Sequence, residues 1–176
     1  MMMKIKSWLV IMLLFVLAGC SNSDDTLESQ ESTITNFLIQ NKLDFIDLKG
    51  VYRHIRHNSQ NGEVVAQEDS IAIYYSGHRF SASGNLGLGS YFYGNIKSDA
   101  EANKFETSKM DFSPMRIKVG AGNLAGLDMA LPGTHRGDTI IIYMTSDYAY
   151  GERGCYTVPK SASIAMKVVV DSVWRE

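Results

Sequence analysis

The sequence predicts an α+β protein, an antiparallel sheet folded over one short helix with a further helix in front. Three observations lead there. Stretches that are β-branched, aromatic or alternating dominate the chain, "DTIIIYMT" most of all. A single short segment with helical spacing, "NLAGLDMAL", lies among them. The other helical pattern precedes all the strands.

The chain opens on a targeting segment. "MMMKIK" is short and basic, and "SWLVIMLLFVL" is apolar but well short of the ~20 residues a membrane span needs. "LAGC" follows, ending at Cys20. Residues 1–19 resemble the signal peptide of bacterial lipoproteins. The resemblance implies that Cys20 becomes the first residue after cleavage and carries diacyl and palmitoyl chains. Such chains bind a bilayer at about 0.8 kcal/mol per buried methylene. The expected location is the bacterial cell envelope, at the outer membrane, on its periplasmic or its surface face. Residues 20–31 are polar and acidic and read as a flexible tether.

Residues 32–68 read as an extension of one helix and one strand. Ile34, Phe37, Leu38 and Leu43 share a helical face over 32–45, with Ser32 or Thr33 as cap. "GVYRHIRHN", 50–58, alternates as a strand near a sheet edge, and "NGE" is a turn. Residues 69–176 form the main domain. Its strands are expected at 69–77, 113–120, 138–145 and 161–174, the last turning Ile164, Met166, Val168 and Val170 inward. That makes about five strands, with the short helix at 123–131. Residues 78–104 mix glycines and aromatics without a period, and are too long for an ordinary hairpin loop. They read as an insertion.

Several functions are excluded. The formal net charge is −2, which gives no footing for nucleic acid. His54 and His57 point to opposite faces of a strand, and no paired-ligand motif suggests a metal. "VGAGNLAG" lacks the Lys-Ser/Thr ending of a phosphate loop. No cofactor is expected. With Cys20 acylated, Cys155 has no intramolecular disulfide partner and reads as a partly buried thiol.

"SDYAYGERG", 146–154, asks for more than a turn, because a turn needs its glycines but not Tyr148 and Tyr150. The stretches "AIYYSG", "FETS", "VGAGNLAGLDMAL", "PGTHRGDTIIIYMTSDYAYGERG" and "VPKSASIAMKVVVDSV" come in the order of the FK506-binding-protein (FKBP) type of peptidyl-prolyl isomerase. The chain resembles that family from Asp69 to Val173, the insertion excluded. The resemblance implies a bent antiparallel sheet wrapped round the helix at 123–131, with an apolar pocket between them for the proline ring of a peptide. It implies catalytic roles for Tyr75, Phe105, Glu106 and Tyr150, with the Tyr150 hydroxyl on the peptide carbonyl. It implies a substrate-binding lining of Met115, Leu124, Leu127, Val158 and Met166. Tyr148 is then packing.

The chain also departs from the family. Leu127 stands where the family places the Trp that floors the pocket, Met115 and Met166 stand for aromatics, and Glu106 for Asp. "GAGNLAG" is one residue short where the family donates a backbone N–H to the peptide. The function implied is a lipid-anchored prolyl isomerase acting on proline-containing segments of exported proteins. The alternative is a binding or chaperone-like module on the same fold without efficient turnover. In either case Tyr91, Phe92 and Tyr93 of the insertion contact clients or else cover a sheet edge or the first helix.

Overall fold

The computed structural model describes residues 23–155 and 157–175; the signal peptide and Cys20 lie outside them. Helix α1 (Ser23–Gln40) leads into β1 (Ile46–Asp47) and β2 (Val51–His57), then β3 (Ser70–Phe80), β4 (Leu88–Gly94) and helix α2 (Lys97–Ala102). β5 (Met115–Lys118), helix α3 (Ala125–Ala130), β6 (Thr139–Met144) and β7 (Ile164–Trp174) complete the described chain. The seven strands make one antiparallel sheet in the order β1-β2-β6-β7-β3-β4, with β5 also paired to β3.

Alternation along the strands sends side chains to two separate cores. On the inner face Ile71, Ile73, Ile140, Ile142, Met144, Ile164, Met166, Val168 and Val170 pack with Leu127, Ala130 and Leu131 of the α3 region. On the outer face Tyr52, Ile141, Tyr143 and Ala165 receive Ile34, Phe37 and Leu38 of α1. Each fully buried side chain of this size contributes about 1.5–3 kcal/mol. Phe37, Phe80 and Tyr143 meet edge-on or tilted at 5.5–6.0 Å, and the Tyr143 hydroxyl donates to Leu86 O at 2.9 Å.

Two expectations are corrected. The acidic stretch is not a free tether from Ser23 onward, because α1 begins there. Gln30 anchors it. Its amide accepts from Ser146 N and Ser163 Oγ, both at 2.8 Å, and donates to Ser146 Oγ and Ser161 O. Residues 78–104 are not an insertion. β3 runs on to Phe80, and β4 returns alongside it through register shifts at Gly77/His78 and His78/Phe80. Those bulges break the alternation that marks a strand in sequence. β2 does lie near the sheet edge, with only the two-residue β1 outside it.

The outer face also carries a polar network. Ser76 Oγ donates to Asp99 Oδ2 at 2.7 Å, and Lys167 Nζ lies 2.8 and 3.1 Å from the two Asp99 oxygens. His78, 5% exposed, places Nδ1 3.0 Å from Gly89 O. Burial holds its imidazole below the usual 6.5; the Gly89 carbonyl and Asp99 oppose this, and Lys167 reinforces it. The unfolded chain therefore takes up a proton near 6.5 that the fold resists. Stability present above that pH is lost as pH falls through the folded value. For Asp99, burial pulls the carboxyl up, but the bonds from Lys167 and Ser76 outweigh it and hold it below 3.8. Its contribution is lost only at lower pH. We expect His78→Asn to flatten the fall in urea midpoint that begins near pH 6.5, leaving the more acidic fall in place.

Candidate active site

The site is built where β3, β4, α3 and the loop after β6 meet on the inner face. Gly77 of β3 has no side chain, and the Phe92 ring of β4 fills the space. A Cβ there would come 2.6 Å from Phe92 Cε2. Phe92 is buried, and its ring meets Tyr150 edge-on at 5.9 Å and 81°. Tyr75, two residues before Gly77 on the same face, is half-buried against the same cluster. Asn95 pins this corner by accepting from Tyr75 N at 2.6 Å and donating to Ile73 O and Ser113 O.

Tyr150 sits on a tight loop between two single 3-10 turns, Ser146–Tyr148 and Gly151–Arg153. Its backbone lies at φ −104, ψ 1, a sparsely populated region. Tyr148 packs over Gly50, where a Cβ would stand 2.6 Å from its ring. The Tyr150 hydroxyl makes no hydrogen bond among the described residues. Burial pushes it up to about 12, with Cys155 and Tyr75 adding to the effect. It is therefore a neutral donor at any physiological pH. Burial, aided by Tyr93, likewise raises Tyr75.

The approach to α3 is organised by one carboxylate. Asp128 accepts from Gly120 N, Gly122 N, Asn123 N and Asn123 Nδ2 at 2.9–3.1 Å. Its reach closes the loop that is one residue short in sequence. The next amide, Leu124 N–H, makes no hydrogen bond among the described residues. The far end of α3 is held from the sheet. Arg53, 7% exposed, donates through one nitrogen to Ala130 O at 2.8 Å and Pro132 O at 2.6 Å. Ala130 O is one of the carbonyls a helix C-terminus leaves unpaired, and Pro132 O lies just past it. Leu127 is thus set on a helix fixed at both ends.

The structure brings together most of the expected lining. Leu127 and Met166 are each 3% exposed, Val158 is buried, and Met115 and Leu124 are half-buried against the same cluster. Cys155 and Val158 close a narrow bridge by exchanging backbone hydrogen bonds at 3.0 and 2.7 Å, which fixes Val158 in the cluster that Tyr150 packs against. The floor is filled by the protein's own side chains.

Two expected catalytic residues are not brought to this cluster. Phe105 is 36% exposed and stacks edge-on against Tyr91 at 5.1 Å. Glu106 is fully exposed; its carboxylate accepts from Ser108 N at 2.9 Å, which holds it below the usual range. The short turn makes it a local cap. In exchange, Phe92, expected only as an insertion aromatic contacting clients or covering an edge, joins the cluster. "YFYG" carries the same aromatic-x-Gly order as "AIYYSG", and that repeated order was the available signal. Among the described residues no group of three or more His, Cys, Asp or Glu side chains could hold a metal.

Comparison with known proteins gives three findings. Residues 88–171 match the family model of FKBP-type peptidyl-prolyl cis-trans isomerase. The match starts inside the 78–104 stretch, with β4, and leaves Tyr75 outside it. A stretch of 115 residues is 26% identical to FK506-binding protein 5 of Dictyostelium discoideum, covering 65% of this chain but 6% of that protein. The chain therefore spans only a small part of the length of this relative. The crystal structure of a peptidyl-prolyl cis-trans isomerase from Pseudomonas syringae pv. tomato superposes with a TM-score of 0.60 at 13% identity, covering 89% of this chain and 98% of that one.

Proposed function

We propose that this chain, whose residues 88–171 match the FKBP-type peptidyl-prolyl cis-trans isomerase family, turns over X-Pro bonds at the cluster of Phe92, Tyr150, Leu127, Val158 and Met166. The observation that supports this most is a Tyr150 hydroxyl free of hydrogen bonds among the described residues, on a ring packed against the apolar cluster of Phe92, Leu127, Val158 and Met166. The chemical task fits. The planar amide resists rotation by about 18–20 kcal/mol because twisting it loses resonance. An apolar site favours the twisted, less polar amide over the planar one. The Tyr150 O–H and Leu124 N–H hold the peptide carbonyls while the bond rotates. Tyr75, Met115 and Leu124 frame the mouth. No proton changes hands, so the rate is expected to be flat near neutral pH.

The reading extends to location. α1 starts at Ser23, three residues after Cys20. A lipid on Cys20 would keep the domain within about 10 Å of the bilayer, since an extended residue spans at most ~3.6 Å. The substrates are then proline-containing segments of exported proteins at the envelope. Mass spectrometry of the mature N-terminus tests this directly, and an unmodified Cys20 would overturn it.

A second reading, a binding module without efficient turnover, is favoured by the filled floor. A proline ring must displace Met166 and its neighbours to enter, and Leu127 offers no flat surface. Met side chains are pliable enough to yield. A cis–trans relaxation assay on a proline peptide distinguishes the two. Leu127→Trp is expected to raise the catalysed rate while costing about 1–3 kcal/mol of stability from overpacking. A folded Trp variant no faster than the parent would contradict this account of the floor.

A further inference from the structure

The sheet's outer face holds a cleft of about 320 Å³, on the opposite side from Tyr150 and Leu127. Its lining includes Arg56, His78, Leu86, Leu88, Asp99 and Lys167. Strand register explains the placement. His54, Ile141, Lys167 and Ser76 stand in one row across β2, β6, β7 and β3, and Arg56, left unpaired at the β2 irregularity between Ile55 and His57, lines the same cleft. α2 closes one wall, and the turn at Asn85–Gly87 closes the other.

The charges in this cleft do not cancel. Both Asp99 oxygens are engaged by Lys167, and Oδ2 also by Ser76. That accounts for one cation and one anion. Arg56 is exposed and takes part in no ion pair among the described residues, so its charge is left over. Lys167, with two contacts to one carboxylate, keeps donor capacity. Beside these donors lie Leu86, Leu88 and Ala102, an apolar strip too small to be an interface for a protein.

We propose that this cleft binds a small organic oxyanion, a carboxylate or phosphate group carrying a short apolar body. The oxyanion sits between the Arg56 guanidinium and the Lys167 ammonium, and the body lies on Leu86, Leu88 and Ala102. Arg56 supplies a planar fork suited to either head group. The site is separate from the isomerase cluster, and neither reading depends on the other.

Amide NMR titrations of the full chain with butyrate and with inorganic phosphate, at low ionic strength, test this. The expected result is saturating shifts confined to Leu88, Gly89, Asn103 and their neighbours. Arg56→Ala should weaken the response by about tenfold or more, as loss of a charge-assisted contact does. Arg136→Ala, which removes a cation paired elsewhere with Glu63, should leave it unchanged. Tighter butyrate binding assigns a carboxylate with its apolar body, and tighter phosphate binding assigns a phosphate ester. Shifts that grow linearly without saturating, that spread over the surface, or that survive Arg56→Ala would each overturn the proposal.

Discussion

Gly77→Ala is expected to lower isomerase activity by about tenfold or more. The new methyl group enters space held by the Phe92 ring, within 2.6 Å of Cε2. Phe92 is buried and meets Tyr150 edge-on, which leaves that ring little room to yield. Forcing one extra carbon into such a core costs about 1–3 kcal/mol of stability. The effect on rate should exceed the effect on folding, because displaced Phe92 also tips Tyr150, and small misplacements of a positioned group are costly. Activity and urea midpoint measured on the same preparation check this. A folded variant of normal activity would remove Phe92 from the site.

Arg53→Met should cost about 3 kcal/mol or more. A buried carbonyl, Ala130 O, and a part-buried one, Pro132 O, lose a charged donor, and each such bond is worth about 1.5–3 kcal/mol. Methionine matches the stem of the side chain, so little of the loss comes from packing. The guanidinium is itself held at a cost. Burial lowers its proton affinity, and Asp138 offsets this in part. Because Arg53 fixes the end of α3, the variant that remains folded should show a raised KM through a looser Leu127. Denaturant unfolding and steady-state kinetics give the two numbers.

Much of this arrangement was legible in sequence, for identifiable reasons. The α1 face of Ile34, Phe37 and Leu38 was visible because three large apolar residues share one helical stripe. β6 and β7 were visible because a continuous apolar run and a strict alternation survive burial on one or two faces. Tyr150, Leu127, Val158 and Met166 came from ordered motifs, and the fold does gather them. What failed was less regular. β4 was hidden by its bulges and by Gly89 and Gly94, whose backbones pack too closely against β3 for a side chain. Losing β4 left Phe92 in an expected insertion instead of beside Tyr75 in the same cluster. Gln30 looked like tether because an amide that makes four hydrogen bonds across 116–133 residues leaves no local trace. Phe105 and Glu106 matched a motif of residue types, but the turn at Ser108 and the stacking on Tyr91 direct them elsewhere.

The central claim is that Tyr150 and the floor beneath it turn over X-Pro bonds. Cis–trans relaxation of a proline peptide, compared for the parent chain and Tyr150→Phe, tests it most directly. The exchange removes one hydroxyl from a ring that keeps its contact with Phe92, so folding should change little. The account predicts clear acceleration by the parent and about a tenfold loss in kcat/KM for the variant, the weight of one hydrogen bond. A folded parent whose relaxation matches the uncatalysed rate, or a Phe variant as fast as the parent, would contradict it.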